Sequence, residues 1–139
     1  MANTETTINA VMYPQPNETP IDIKKTIKAL ERNKFVVHYF ETGAEAVAYL
    51  KNRIQNKCVA IGDSRTLLEI GVHDALSEVN EDITDIQRPL PGESFRDTAL
   101  RTMGRDVFLT SVNALSQTGE MVNIDGTGNL WKSLSSMNL

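Results

Sequence analysis

The feature that most constrains the fold is a short apolar run that a glycine ends. Cys58-Val-Ala-Ile61 places four apolar side chains in succession, and Gly62-Asp-Ser64 follows at once. A strand with one solvated face would alternate between apolar and polar residues. An uninterrupted run instead predicts a strand covered on both faces, as in a parallel sheet between helices. Helical spacing of apolar residues on both sides of the run completes the prediction of an α/β domain.

Further segments extend this pattern along the chain. Thr19 is predicted to cap the first helix, with Pro20 as its first residue and Asp22 in its first turn. Thr42 and Glu45 match a capping box that starts the second helix. The predicted elements, in chain order, are a helix up to about Asn33, a strand over Phe35–Phe40, a helix from Thr42, a helical stretch over 67–76, a strand over Ile83–Ile86, a helix over Phe95–Met103, and strands over Val107–Val112 and Met121–Ile124.

The expected architecture is a mostly parallel sheet with flanking helices, whose last two strands form a β-hairpin. Residues 1–18 are predicted to be an N-terminal arm, and residues 19–139 a single domain, as the length of the chain favours.

Charge and composition exclude several classes of function. The net charge is −4 and the pI about 5.2, so the chain lacks the basic stripe that nucleic acid requires. Lys24, Lys25 and Lys28 share one helix face, which is predicted to be solvated. No membrane span or signal peptide is visible, so a cytoplasmic protein is expected.

Metal and cofactor chemistry is not expected from the residues present. Cys58 is the only cysteine and lies in an apolar run, where a buried, unreactive thiol is expected. The two histidines, His38 and His73, are far apart in the sequence, so no ligand spacing for zinc or an iron–sulfur cluster exists. His38 is predicted to be structural and His73 to be packed or solvated. Neither Ser64 nor Ser111 has a readable catalytic partner.

The first candidate site is the loop that follows Cys58–Ile61. Backbone N–H groups at the helix start near Thr66 favour an anion, and ligands gather at the carboxyl ends of strands. Predicted ligand-binding residues here are Gly62, Asp63, Ser64 and Thr66, and Glu69 is a candidate catalytic residue. The alternative is purely structural: the glycine makes the turn, and a hydroxyl caps the helix.

The second candidate site combines Asn113 with the loop that follows Met121–Ile124. Asp125 is a candidate catalytic residue that would position a hydroxyl group or act as a base. Predicted ligand-binding residues are Asn113, Asn123, Gly126, Gly128 and Asn129. If the two preceding strands pair, Asn113 and Asp125 face one cleft. The alternative is an Asp-Gly turn whose carboxylate binds its own backbone.

Three segments together resemble a known family. Gly62–Gly71 matches its Gly-Gly-Ser-x-Thr-x-x-Glu-Ile-Gly motif except at Asp63, Asp106–Ala114 matches Asp-Val-Phe-Leu-Thr-Ser-x-Asn-Ala, and Met121–Asn129 matches Leu-Val-Asn-Ile-Asp-Gly-x-Gly-Asn with Met for Leu. These segments resemble the LUD domain of lactate-utilization proteins of the LutC/YkgG type. The resemblance covers about residues 20–129 of the chain.

This resemblance implies a fold similar to the NagB/RpiA/CoA-transferase group and a role in lactate oxidation alongside iron–sulfur partner subunits. The ligand expected between the two loops is a small anionic or phosphorylated metabolite. Asp63 adds negative charge to the first loop and should weaken anion binding there.

Leu130 replaces the family's Arg, and the residues after it depart from the family pattern, which predicts a truncated domain. An open sheet edge would favour a homo-oligomer. The alternative function is a non-catalytic subunit or oligomerising assembly protein, or a decayed remnant without chemistry of its own.

Overall fold

The computed structural model describes residues 20–124 and has the predicted α/β architecture. Helices and a three-stranded parallel sheet alternate along the chain, and a small antiparallel pair of strands follows them. The elements are α1 (Ile23–Arg32), α2 (Gly43–Arg53), β1 (Cys58–Ile61), α3 (Arg65–Glu69), α4 (Val72–Ser77), β2 (Asp82–Asp85), α5 (Phe95–Arg101), β3 (Val107–Leu109), β4 (Ala114–Leu115) and β5 (Met121–Val122).

The apolar run forms the central strand of the sheet, as predicted. The strand order is β2-β1-β3, and Val59, Ala60 and Ile61 are buried. Half-buried Cys58 marks the end at which this burial stops. Because β1 has a neighbour on each side and helices above and below, its residues do not need to alternate.

The core lies on one face of this sheet. Its buried members are Ile54, Val59, Ile61, Val72 and Leu76, and half-buried residues of α2, α3, β2 and β3 pack against them. Thr84 points to the opposite face, where Arg101 of α5 contacts its hydroxyl. The β1–β2 and β2–β3 connections therefore cover opposite faces, as right-handed crossovers require when the direction of strand addition reverses.

The first helix begins later than predicted. Asp22 is its N-cap: the side chain accepts a hydrogen bond from Lys25 N, and the helix starts at Ile23. Pro20 therefore lies before the helix, and Thr19 lies outside the described residues. The prediction was wrong because the Asp22 carboxylate, three residues before the free N–H of Lys25, caps the helix in place of Thr19. The capping box at Thr42 and Glu45 is confirmed.

The strand predicted over Phe35–Phe40 is wrong. This segment has no regular secondary structure, and among residues 20–124 no strand pairs with it. Val36 is 86% exposed and Phe35 and Tyr39 are exposed as well. The strand propensity of aromatic and β-branched residues reflects how well their side chains pack on a pleated sheet. It does not ensure that a partner strand is present.

The predicted hairpin exists, but with a different first strand. Val107–Leu109 pair with β1, so the strand predicted to reach Val112 ends at Leu109. The hairpin instead pairs Ala114 with Val122 and Leu115 with Met121. The predicted strand ran past Leu109 because Thr110, Ser111 and Val112 continue the β-favouring run, and β4 was not predicted.

The predicted helical stretch over 67–76 divides at Gly71, whose φ of +75° ends α3 and precedes α4. The helix predicted over 95–103 ends at Arg101. The predicted strand over Ile83–Ile86 is shifted by one residue. Across residues 20–124, no helix has the length and apolar character needed to cross a membrane.

Candidate functional site

The carboxyl ends of the three parallel strands meet at one edge of the sheet. Gly62 N donates to Leu109 O at 2.9 Å, and Ile86 N donates to Ile61 O at 3.0 Å. These bonds extend both pairings just beyond the strands, so the loops after β1, β2 and β3 leave side by side. The chain adds β2 on one side of β1 and β3 on the other, so the direction of strand addition reverses between β1 and β3. At such a reversal, an open α/β sheet binds ligands at the carboxyl ends of its strands.

Gly62 packs closely against the end of β3 and the start of the loop after it. A Cβ atom on Gly62 would lie 3.2 Å from Phe108 Cζ, 3.4 Å from Leu109 O and 3.5 Å from Thr110 Oγ1. Glycine here removes the side chain that would separate the two loops. The structure therefore gives this predicted residue a close-approach role, whether or not a ligand is bound.

Ser64 has the capping role that the structural alternative describes. Its hydroxyl accepts a hydrogen bond from Leu67 N at 3.2 Å, and the side chain is buried. The helix it caps begins at Arg65, one residue before the predicted start, and has five residues. So short a helix has little macrodipole to attract an anion. Thr66 is exposed on this helix.

Glu69 is exposed at the end of the same helix, where its carboxylate accepts a hydrogen bond from Arg65 Nε at 2.7 Å. Asp63 lies on the loop itself, and its carboxylate accepts a hydrogen bond from Gln87 Nε2 at 2.7 Å. The departure from the family motif therefore joins the loop after β1 to the loop after β2. These two carboxylates are directed to different partners.

The second candidate loop is anchored at its start by Asn113, although the strand before Asn113 pairs with β1 and not with Met121–Val122 as the prediction assumed. Asn113 N donates to Val122 O at 3.0 Å, and Asn113 Oδ1 accepts from Ile124 N at 2.8 Å. Asn123 is exposed between these anchors. Asp125, Gly126, Gly128 and Asn129 lie outside the described residues, so their roles stay predictions.

A histidine–aspartate pair at this edge was missed by the sequence interpretation. His73 Nδ1 lies 2.8 Å from Asp85 Oδ2, and the Asp85 side chain is only 5% exposed. Gln87 N donates to the other carboxylate oxygen of Asp85 at 2.9 Å. Arg88 Nε lies 3.9 Å from Asp85 Oδ2, and Arg88 Nη1 donates to Asp74 Oδ1 at 2.7 Å. That bond holds the pKa of Asp74 below its usual range.

The pair borders a small cavity of about 10 Å³. Its polar lining comes from the loop after β1, from α4 and from the end of β2 with the loop that follows it: Ser64, His73, Asp85, Gln87 and Arg88. A cavity of this size fits about one water molecule and excludes a metabolite. In this conformation it therefore connects polar groups and does not itself form a ligand pocket.

One signal for the missed pair was present in the sequence. Asp85 falls inside the predicted strand over Ile83–Ile86, and a carboxylate inside a short strand needs a partner when it is buried. The partner was not readable, because His73 is twelve residues away on another element. Within the described range of 20–124, no group of three His, Cys, Asp or Glu side chains is arranged to hold a metal ion.

The fold and this edge define an α/β domain of the open parallel-sheet class, with polar loops at the carboxyl ends of its strands. The family model described as LUD domain matches residues 23–137. The chain belongs to the LUD domain family. The matched region extends past residue 129, the limit of the motif resemblance, and includes most of the residues that had looked unlike the family. No curated protein and no solved structure matches the chain.

Proposed function

We propose that this LUD-domain protein acts in lactate utilization and binds a small anionic or phosphorylated metabolite between the loops after β1 and β3. The observation that carries the proposal is the contact between the three segments that resemble the family. Gly62 N donates to Leu109 O, which joins the first segment to the second, and Asn113 Oδ1 accepts from Ile124 N, which joins the second to the third.

The chemistry of these loops suits a small polar ligand. Gly62 packs against the end of β3, and the hydroxyl groups of half-buried Thr110 and Ser111 follow β3 directly. Exposed Asn123 adds an amide next to Ile124, which Asn113 holds, and Asp125 follows two residues later in the sequence. A few convergent polar groups at a strand edge are what fixes the orientation of a metabolite.

Thermal denaturation with L-lactate, inorganic phosphate and acetyl-CoA tests the proposal. A ligand present at 100 times its Kd should raise the free energy of unfolding by about 2.7 kcal/mol. For a domain of this length that is a rise in Tm of several degrees, at roughly 3 °C per kcal/mol. If none of the three compounds changes Tm at millimolar concentration, the proposed ligand class is wrong.

Replacing Asn123 locates the binding site. Asn123→Ala should weaken binding at least tenfold, or about 1.4 kcal/mol, while leaving Tm without ligand unchanged, because the side chain is exposed. Asn52→Ala is the matched control, since Asn52 is an exposed asparagine on α2. Equal affinities for both variants would place the ligand elsewhere.

A second proposal, assembly into oligomers, rests on exposed apolar side chains. Val36 and Ile21 are 86% and 79% exposed, and exposed Phe35 and Tyr39 lie on the same segment, 35–40, as Val36. Apolar groups collected on one segment favour a protein contact. The iron–sulfur partner subunits implied by the resemblance are proposed to use this same segment.

Light scattering after size-exclusion chromatography tests assembly. Val36→Lys should lower the molar mass of the assembly, whereas Leu90→Lys, which changes an exposed leucine on a different loop, should not. A wild-type protein that is monomeric at micromolar concentration would exclude the homo-oligomer. Retention of the wild-type protein on immobilised iron–sulfur partner subunits, lost in Val36→Lys, would identify the partner contact.

A further inference from the structure

The His73–Asp85 pair has a geometry that suits proton transfer. An ionised Asp85 carboxylate can accept hydrogen bonds but cannot donate them. The 2.8 Å contact therefore requires the hydrogen to be on His73 Nδ1. In the neutral imidazole this leaves a lone pair on Nε2. Within residues 20–124, Nε2 of His73 has no hydrogen-bond partner.

Acidic side chains surround the ring of His73. Asp85 of β2 contacts the ring directly, Asp74 follows it on α4, and Glu78 and Glu81 line the open groove on its other side. Two of these carboxylates are themselves paired with cations: Arg88, 3.9 Å from Asp85 Oδ2, binds Asp74, and Lys51 of α2 binds Glu78. Asp63 faces the same edge through Gln87.

The position of His73 connects the ligand loop to solvent. On one side it borders the cavity of about 10 Å³ that it shares with Ser64, and on the other an open groove of about 570 Å³. Ser64 Oγ accepts from Leu67 N, so its hydroxyl hydrogen is free to bind a water in the cavity. A proton from solvent can therefore reach the ring without crossing the apolar core.

We infer that His73 is the proton-binding group of the proposed ligand site and that Asp85 is the positioning residue that holds it. When a carboxylate or phosphate binds beside the loop of Ser64, a proton from solvent forms a new N–H bond at Nε2. The resulting imidazolium lies across the Ser64 loop from the anion, and Asp85 stabilises its charge. This inference rests on the proposed function.

Isothermal titration of L-lactate and inorganic phosphate, each in two buffers of different ionisation enthalpy, measures the protons taken up on binding. Wild-type protein should take up a fraction of one proton near neutral pH, and His73→Gln should take up none. His38→Gln is the matched control, because His38 is the only other histidine and its Nε2 contacts Tyr49. Uptake that is absent in wild type, or unchanged in His73→Gln, overturns the inference.

Nitrogen NMR of the imidazole rings determines the tautomer of His73 in the wild-type protein without ligand. The neutral ring of His73 should carry its hydrogen on Nδ1, and Asp85→Asn should shift the hydrogen toward Nε2, whereas His38 should be unaffected. An Nε2–H tautomer in wild type overturns the inference. If neither anion binds, the proposed function fails, and this measurement still shows whether His73 is held as a proton acceptor.

Discussion

The parallel sheet and the region formed by α1 with the hairpin β4–β5 are held in different ways. In the sheet, Val59, Val72 and Leu76 are at most 1% exposed and pack in one core. In the hairpin, Leu115 is 44% and Val122 53% exposed. The hairpin meets α1 through close backbone contact at Gly119 and a bond from Asn33 Nδ2 to Gly119 O at 3.4 Å.

This difference teaches where each region is vulnerable. Burial of apolar surface is non-directional, so the sheet tolerates small shifts but loses stability when volume is removed. A contact that depends on a missing Cβ has no such tolerance, and a single methyl group disrupts it. The predictions below separate these two kinds of stabilisation.

The largest effect is expected from removing core volume. Leu76→Ala should lower the free energy of unfolding by about 3 kcal/mol, because it deletes a fully buried side chain and leaves a cavity. Leu115→Ala is the matched change in the hairpin and should cost less than about 1 kcal/mol. Urea denaturation of both variants measures the difference. Equal losses would show that the hairpin is part of the same core.

Gly119→Ala should cost about 2 kcal/mol and act on the hairpin first. Gly119 has φ +90°, which strains an L-residue by roughly 1–2 kcal/mol. Its new Cβ would also lie 3.1 Å from the backbone carbon of Ala29. Hydrogen exchange should show lost protection in α1 and the hairpin while β1 stays protected.

Gly104→Ala controls for the strain alone, since Gly104 has φ +72° and a Cβ there would meet nothing within 4 Å. Gly119→Ala should therefore be the more destabilising of the two variants. If Gly104→Ala costs as much, the close approach to Ala29 contributes nothing.

A smaller, pH-dependent effect is expected at Glu93. Arg101 donates to both of its carboxylate oxygens, and Leu90 N donates at 2.9 Å, so these bonds lower the pKa of Glu93 to about 2. A lowered pKa contributes stability above the unfolded value of 4.5 that is lost as pH falls toward 2. Glu93→Gln should reduce stability at pH 7 and flatten this acid limb of the stability curve.

Glu120 is the matched carboxylate in the hairpin. Its pKa is lowered by hydrogen bonds from Ser116 and Thr118, which lie in the same turn. Since these bonds join only neighbouring residues, Glu120→Gln should change the acid limb less than Glu93→Gln does. A larger change for Glu120 would show that the hairpin turn, and not the bond to α5, governs acid stability.

The smallest effect concerns the reactivity of Cys58. A hydrogen bond with Asp82, burial and the charges of Asp82 and Asp106 raise the pKa of the Cys58 thiol. Because the thiolate is the nucleophile, alkylation by iodoacetamide at pH 8 should be slower in the folded protein than in urea. Equal rates in the two states would show that the thiol at this end of β1 is as free as in the unfolded chain.

The sequence predicted the sheet better than it predicted the α1–hairpin region. The apolar run at Cys58–Ile61 identified the central strand because burial on both faces leaves a pattern in consecutive residues. The capping box at Thr42 was equally readable, since it depends on residues three apart. The Phe35–Phe40 strand failed because pairing depends on a partner elsewhere in the chain.

The candidate site divides in the same way. Gly62, Ser64 and Asn113 were predicted from local motifs, and the structure places Gly62 beside the last residue of β3 and Asn113 beside the last residue of β5. Asp85 and His73 were missed because their contact joins β2 to α4 across twelve residues. No local pattern records which buried carboxylate meets which imidazole.

By itself, the sequence determined the α/β class, the central buried strand and membership in the LUD domain family, because these follow from local patterns of apolar and motif residues. The tertiary structure alone decided which strands pair with β1 and that His73 and Asp85 form a pair. Each of these depends on residues distant in the chain, whose proximity is set by packing and by the register of the sheet.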